Sequence, residues 1–153
     1  MTAAAAPEDR PLAALATLRR EGQVDLEELL HQVVDDVVAR LDADRGTLYL
    51  VDHARGELVS RVAHLPELAE IRLRLGEGVA GWVARTGEVV SVPEGARDPR
   101  FHRAVDQATG YRTQSLLAAP VRAPAPAGQA GDVVAVLQVL NKRTGAFAAQ
   151  DER

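Results

Sequence analysis

Apolar residues recur with a helical period in the segment that follows residue 25. From Leu26 onward they occupy positions 26, 29, 30, 33, 34, 37, 38 and 41, a spacing that forms one continuous stripe on a helix of about 3.6 residues per turn. Asp25 stands immediately before the stripe and Glu28 three residues after Asp25, which resembles a capping box with Asp in place of Ser or Thr. The pattern predicts an amphipathic helix from about Asp25 to Leu41.

After this helix the apolar positions alternate with the period of a β-strand. Segments 47–52 and 57–64 read as strands, and the residues from His53 to Gly56 are few enough to join them as an antiparallel hairpin. Further strands are predicted at 71–75, 89–92, 115–121 and 132–142. The last is apolar on both faces, which predicts a central place in the sheet. Residues 122–131, rich in Pro, Gly and Ala, are predicted to form the hairpin loop before it.

Composition and charge narrow the class of protein. The 153 residues are 46% apolar and 26% charged, as expected for one globular domain with a real core. The formal net charge of -4 disfavours direct binding to nucleic acid or an anionic membrane. Cysteine is absent, which removes disulfides, thiolate catalysis and cysteine-based metal sites. The sequence shows neither a secretory signal nor a transmembrane run, so we expect a cytoplasmic protein.

The glycine-rich stretch GEGVAGWVARTG at 76–87 raises a specific alternative, because its first six residues satisfy the G-x-G-x-x-G pattern of a dinucleotide-binding turn. Such a turn follows a buried parallel strand and opens a long helix, with an acidic residue about 20 positions on. Here the preceding strand is half exposed, and Gly87 leaves room only for a short helix from about Val79 to Arg85, although Glu94 lies near the acidic position. We interpret these glycines as serving positive-φ turns and close backbone approach.

Three motifs follow one another along the chain. They are GVAGWVARTG, then DPRF followed by VDQATGYRT, then Asn141-Lys142 with Phe147 and, three residues further on, Asp151-Glu152. In this order they make residues 23–153 resemble the GAF domain, in the branch found in cyclic-nucleotide phosphodiesterases and bacterial adenylyl cyclases. Residues 1–22 would then be a leader with a short helix, in a larger bacterial regulator whose C-terminal signalling helix and effector domain lie beyond this sequence.

The resemblance implies an α+β fold with a six-stranded antiparallel sheet. N-terminal helices would cover one face, and short helices and loops would close a ligand pocket on the other. The alternating strands and the amphipathic helix fit this arrangement, because each needs an apolar face covered. The segment from Val79 to Thr113 would form the cap of the pocket.

The resemblance also implies which residues bind ligand. The backbone of Val79 and Ala80 would meet a phosphate or ribose at a helix start, where free N–H groups favour an anion; the alternative is a tight turn that packs without ligand. Asp106, Thr109 and Thr113 would be polar readers, unless Asp106 and Thr109 only cap a local helix end. Thr47 matches a further position on the pocket floor.

Two departures from the branch affect the expected ligand. Ala63 and His64 stand where the phosphodiesterase branch has an aromatic residue and an Asp that stack on and read a purine. His102 stands in place of a Tyr, although imidazole can still stack or donate a hydrogen bond. We therefore expect a ligand of the size of a cyclic nucleotide, whose functional groups can differ from those of a purine. Cyclic AMP or cyclic GMP is the leading candidate.

The C-terminal motif is expected to be structural. Lys142 would pair with Asp151 and clamp the last strand to the following helix, Phe147 would fill the gap between them, and Asn141 and Glu152 would complete the signature. No catalytic group, metal site or cofactor is expected. The histidines lack metal-ligand spacing, and the GAF lineage that reduces free methionine sulfoxide uses cysteines that this chain lacks.

The expected function is therefore a non-enzymatic small-molecule sensor that signals through helices to a covalently linked effector. The expected partners are the ligand, the effector domain and a second copy of the chain, which would form a homodimer through the helix from about Asp25 to Leu41. The alternative is a ligand-free module for dimerisation and signal transmission.

Overall fold

The computed structural model describes residues 25–63, 70–101 and 103–152, apart from the side chains of Ala96, Val105 and Thr109. The short helix predicted within residues 1–22 lies outside this range. The helices are α1 (Leu26–Arg40), α2 (Gly78–Thr86) and α3 (Arg103–Thr109), with 3-10 turns at Gly95–Arg97 and Ala149–Glu152. The strands are β1 (Ala43–Asp52), β2 (Glu57–Ala63), β3 (Arg72–Arg74), β4 (Val90–Val92), β5 (Leu116–Arg122) and β6 (Val133–Lys142).

The strands form one six-stranded sheet in the order β3-β2-β1-β6-β5-β4. Every neighbouring pair is antiparallel, so the predicted α+β class and antiparallel sheet are confirmed. β6 lies centrally, as its two apolar faces predict. β1 begins earlier than the predicted residue 47: Ala43 already pairs with Lys142, although the polar residues Asp44 and Arg45 interrupt the apolar alternation.

Helix α1 covers one face of the sheet. The Asp25 carboxylate accepts the backbone N–H of Glu27 at 3.0 Å, so the predicted cap at this residue is present. Val34 is fully buried and packs with Leu48 and neighbouring strand residues. Gly46 of β1 lets the helix come close, because a Cβ there would lie 2.6 Å from Cγ2 of Val38.

The other face of the sheet packs against α2 and the segments around it. A bulge in β2 decides which residues face which side: Leu48 pairs with Val62 and Tyr49 pairs with Ser60, which leaves Arg61 as the extra residue. Leu58 therefore joins the core under α2, whereas Val62 joins the core under α1. Strict alternation would have placed both residues on one face.

The glycine-rich stretch forms a tight turn and a short helix. Gly76 and Gly78 have φ of 86° and 68°, a region that L side chains rarely adopt. A Cβ on Gly81 would lie 2.6 Å from the carbonyl oxygen of Arg74, so the backbone there makes a close approach. α2 spans nine residues and ends at Gly87, whose φ is 72°. These features agree with turn and packing roles for the glycines, and an antiparallel sheet does not supply the parallel strand of a dinucleotide fold.

Candidate functional site

A cavity lies between the sheet and the cap, at the start of α2. Its polar lining residues are Tyr49, Asp106, Tyr111, Thr113 and Gln138. Its other lining residues are Leu73, Gly78, Val79, Ala80, Phe101, Leu116 and Leu140. The volume is about 40 Å³, more than the roughly 10–15 Å³ that one water molecule needs and well below the about 300–1,000 Å³ of typical small-molecule sites. The cavity can therefore hold water but not a ligand of nucleotide size.

The floor of the cavity comes from the central strands. Tyr49 of β1 is 3% exposed, and its burial raises the pKa of the phenol well above the usual range. Gln138 of β6 pairs with Thr47 and lies diagonally from Tyr49 across the two strands, so both side chains reach the same cavity. Neither residue was predicted from the sequence, although a Tyr and a Gln inside apolar strands are polar groups that need a partner.

Val79 and Ala80 lie at the start of α2 and line the cavity, as the resemblance implied. They are 3% and 1% exposed. The N-cap residue Glu77 makes no side-chain cap bond to the helix; its carboxylate instead accepts the backbone N–H of Arg74 at 2.9 Å. The glutamate therefore closes the preceding turn and does not cap the first turn of the helix.

Asp106 and Thr113 are joined to each other at the rim of the cavity. Asp106 Oδ2 accepts the backbone N–H of Thr113, and Oδ1 accepts its hydroxyl, both at 2.8 Å. Thr113 is 6% exposed. We call this pair the Asp106–Thr113 clasp. It ties α3 to the chain just before β5, and it places a carboxylate and a hydroxyl beside the space that a ligand would occupy.

Tyr111 anchors the cap to the sheet. Its hydroxyl donates to Asp44 Oδ2 at 2.6 Å, and its ring lies 4.0 Å from the guanidinium carbon of Arg45. Burial and the bond to Asp44 raise the pKa of Tyr111 well above the usual range. The sequence analysis quoted Tyr111 within its motif without giving it a role, because Asp44 lies 67 positions away in the chain.

Asn141 holds the same part of the cap from the end of β6. Its amide oxygen accepts the backbone N–H of Gln114 at 2.6 Å and that of Ser115 at 3.1 Å. Its amide nitrogen donates to the Tyr111 hydroxyl and to the carbonyl of Arg112, both at 2.9 Å. The backbone of Asn141 is left-handed, with φ of 55°, a conformation that Asn tolerates better than most residues.

Lys142 and Asp151 form the expected ion pair, with 2.7 Å between Nζ and Oδ2. The two side chains are 15% and 8% exposed, so the pair is more shielded than a surface ion pair. The hydrogen bond from Lys142 holds the pKa of Asp151 below its usual value, and the backbone N–H of Ala148 adds to this effect. Phe147 is 9% exposed and packs with Leu117 and other residues of the sheet, while Glu152 is exposed.

Several residues expected at the site are not brought to the cavity. Thr47 and Ala63 face each other across β1 and β2, where Thr47 is 1% exposed and Ala63 packs against the core; neither lines the cavity. Their contact with ligand remains a prediction. His64, His102 and the side chain of Thr109 lie outside the described residues.

Within residues 25–63, 70–101 and 103–152, no group of three or more His, Cys, Asp or Glu side chains is placed to hold a metal ion. Of the helices described, none is both long enough and apolar enough for a membrane span.

The sequence profile of the GAF domain family matches residues 25–153. The chain belongs to the GAF domain family. The match covers every helix and strand described above, so the sheet, its covering helix and the capped cavity together are the GAF domain.

The curated relatives that this GAF domain matches are much longer proteins. It is 35% identical over 148 residues to the dual 3',5'-cyclic-AMP and -GMP phosphodiesterase 11 of Drosophila melanogaster, covering 86% of this chain and 10% of the relative. It is 32% identical over 143 residues to the dual 3',5'-cyclic-AMP and -GMP phosphodiesterase 11A of Takifugu rubripes, covering 85% of this chain and 15% of the relative. The chain thus spans only a small part of the length of these proteins.

Solved structures share the fold of this GAF domain. The GAF domain of a phosphoenolpyruvate-protein phosphotransferase from Coxiella burnetii has a TM-score of 0.71 at 22% identity, covering 96% of this chain and 86% of the other. The free methionine-R-sulfoxide reductase of Neisseria meningitidis, solved with its substrate, has a TM-score of 0.67 at 20% identity, covering 99% and 84%. At these identities the likeness extends to the fold alone.

Proposed function

We propose that this GAF domain is a non-enzymatic sensor of a small molecule, with a cyclic nucleotide as the leading ligand. The observation that carries the proposal is the cavity where Val79 and Ala80 meet the Asp106–Thr113 clasp. A helix start, the Asp106 carboxylate and the other polar groups of a partly apolar cavity suit a polar heterocycle with an anionic group. The relatives named as cyclic-AMP and cyclic-GMP phosphodiesterases support this class of ligand.

Ligand entry requires the cap to move, because a cavity of about 40 Å³ is too small for a nucleotide. The contacts that resist this movement are the Asp106–Thr113 clasp, the Tyr111–Asp44 bond and the bonds of Asn141 to Gln114 and Ser115. These contacts connect the residues from α3 to the start of β5 with β1 and β6. A ligand in the cavity would therefore shift the start of β1 and the end of β6.

The output would leave the domain through the residue after Asn141. Lys142 is bonded to Asp151, which lies in the 3-10 turn that follows the last strand. A shift of the cap that moves Asn141 also moves this pair, so ligand occupancy is passed to whatever follows. We propose that residues 23–153 form the sensory domain and residues 1–22 its leader. The domain would serve a larger regulator, of the bacterial kind that the resemblance implies, with a C-terminal signalling helix and an effector.

A homodimer formed through α1 is part of this proposal. Leu26 at the start of α1 is 58% exposed. At the other end of α1, Val37 and Leu41 line a groove of about 370 Å³ whose wall is partly apolar, with Leu117 and Val139, and partly charged, with Arg40, Asp151 and Glu152. A second copy that packs along α1 would cover both. Sedimentation over a wide concentration range tests this, and a monomer at every concentration would contradict it.

A ligand-free module for dimerisation and signal transmission is the second candidate. The observation that favours it is the small cavity, because a GAF domain that no longer binds a ligand needs no larger space under its cap. In that case the Asp106–Thr113 clasp would serve stability alone.

A thermal-shift screen separates the two candidates. The probes are cyclic AMP, cyclic GMP, cyclic dinucleotides and a panel of small metabolites. A specific ligand at about 100 times its dissociation constant should add roughly 2.7 kcal/mol to the unfolding free energy. Asp106→Ala and Thr113→Val should erase the shift, whereas Asp36→Ala, on an exposed position of α1, should keep it. A wild-type domain that no probe stabilises would favour the dimerisation module.

A further inference from the structure

The hydroxyl of Tyr49 makes none of the side-chain hydrogen bonds that join Asp106, Tyr111 and Thr113 to other residues at the cavity. Tyr49 is 3% exposed and lines the cavity from the floor. Among the residues that the structure describes, this hydroxyl has no hydrogen-bond partner. Its pKa is raised by burial, so the phenol remains protonated and can donate.

The hydroxyl of Tyr111, the second tyrosine at the cavity, has two hydrogen-bond partners within the chain. The Tyr111 hydroxyl donates to Asp44 at 2.6 Å and accepts from Asn141 at 2.9 Å. The chain contains only these two tyrosines, and both line the same cavity. Because the large majority of buried side-chain polar atoms in proteins have a hydrogen-bond partner, and the described residues supply none to Tyr49, its hydroxyl is available to a group that enters the cavity.

The surroundings of Tyr49 restrict what that partner can be. Among the described lining residues Asp106 is the one with a formal charge, and it is negative. None of the described lining residues is a Lys or Arg, so the lining described supplies no cation to neutralise a full negative charge beside Tyr49. The amide of Gln138 lies diagonally across from Tyr49 and adds a neutral donor and acceptor. A neutral hydrogen-bond acceptor fits this environment.

We infer that the Tyr49 hydroxyl is a ligand-binding group that donates a hydrogen bond to a neutral acceptor, a carbonyl oxygen or a ring nitrogen, of the ligand's heterocycle. The inference rests on the proposed sensing function and deepens it. The heterocycle would lie over β1 and β6, and an anionic group of the same ligand would lie at the start of α2. The residue therefore contributes to the choice between ligands whose rings differ in their acceptors.

Two Tyr→Phe variants test the inference on the whole chain. Tyr49→Phe removes the unmatched hydroxyl, and Tyr111→Phe is the matched control that removes the bonded one. Without nucleotide, the melting temperature of Tyr49→Phe should equal or exceed that of the wild type, while that of Tyr111→Phe should fall. With cyclic AMP and cyclic GMP as calorimetric probes, Tyr49→Phe should bind the better one about 3- to 10-fold more weakly, the loss expected for one net hydrogen bond.

The outcomes distinguish this inference from the function on which it rests. If the wild type binds a nucleotide and Tyr49→Phe binds it equally well, the role of Tyr49 is wrong and the sensing function stands. A melting temperature of Tyr49→Phe as low as that of Tyr111→Phe would show that the hydroxyl has a structural partner, which also overturns the inference. If the wild type binds neither nucleotide, the cyclic-nucleotide function fails and the inference fails with it.

Discussion

Asp106 holds Thr113 by both oxygens of its carboxylate, with the backbone N–H and the side-chain hydroxyl of the threonine each 2.8 Å away. The two residues lie seven positions apart, on either side of the turn that contains Tyr111. One side chain thereby closes a loop of the cap and keeps its own acceptor atoms at the edge of the cavity. The Asp106–Thr113 clasp thus combines a structural role with a position suited to reading a ligand.

The first prediction separates these roles through stability in the absence of ligand. Asp106→Ala removes both bonds and leaves the buried Thr113 hydroxyl without its acceptor, so the unfolding free energy should fall by about 2 kcal/mol. Thr113→Val removes only the hydroxyl bond and should cost about 1 kcal/mol. Urea denaturation measures both, with Asp36→Ala as the control. A cost for Asp106→Ala no larger than that of the control would contradict the clasp.

The second prediction concerns Asn141, which combines a left-handed backbone with four side-chain hydrogen bonds. Asn141→Gly loses the side-chain bonds but suits the positive φ of 55°, whereas Asn141→Ala also carries the strain of that conformation. The alanine variant should therefore be less stable than the glycine variant by about 1 kcal/mol. In both, the amide hydrogens of Gln114 and Ser115 should exchange faster. Equal stability of the two variants would disprove the contribution of backbone strain.

The third prediction is a double-mutant cycle on Lys142 and Asp151. Each of Lys142→Ala and Asp151→Ala should lower the unfolding free energy by about 1–2 kcal/mol, because each removes a charged hydrogen bond. The double variant should cost no more than the worse single variant, as expected for contacting partners. Neither residue lines the cavity, so the ligand dissociation constant should stay within about twofold while signalling to an attached effector is lost. Loss of ligand binding in a folded variant would refute the prediction that the Lys142–Asp151 pair acts in signalling and not in ligand binding.

The fourth prediction is a loss of stability in acid. The pKa of Asp151 is lowered from 3.8 by Lys142, and the pKa of Asp98 is lowered from 3.8 by Arg100. The unfolded chain binds protons at the ordinary pKa, so both groups stabilise the fold fully above about pH 5, and the gain disappears as the pH falls through the lowered values. Urea denaturation between about pH 7 and pH 3 should show this, with a shallower decline for Asp151→Asn. An unchanged decline in that variant would count against the Asp151 contribution.

The sequence predicted the elements better than the site, and particular residues show why. The stripe from Leu26 and the apolar run of β6 are local patterns, and both appear where they were expected. The extra residue Arg61 in β2 has no local signal, because it depends on how β1 and β2 pair. Tyr111 and Asp44 are 67 positions apart, so only the fold reveals their bond. The Asn141 contacts are of the same kind, since one side chain binds groups in a segment about 27 residues earlier.

The position of β1 and β6 has a consequence for how the chain folds. These are the first and last strands in sequence, yet they are neighbours at the centre of the sheet, with Ala43 opposite Lys142. Until residues 133–142 have been synthesised, β1 and β5 each lack a partner along their inner edge, and such open edges favour aggregation. Pairing over this sequence separation is also slow. A chain that lacks β6 would therefore hold two incomplete half-sheets, one of three strands and one of two, and the final strand is the element that joins them into one cooperative unit.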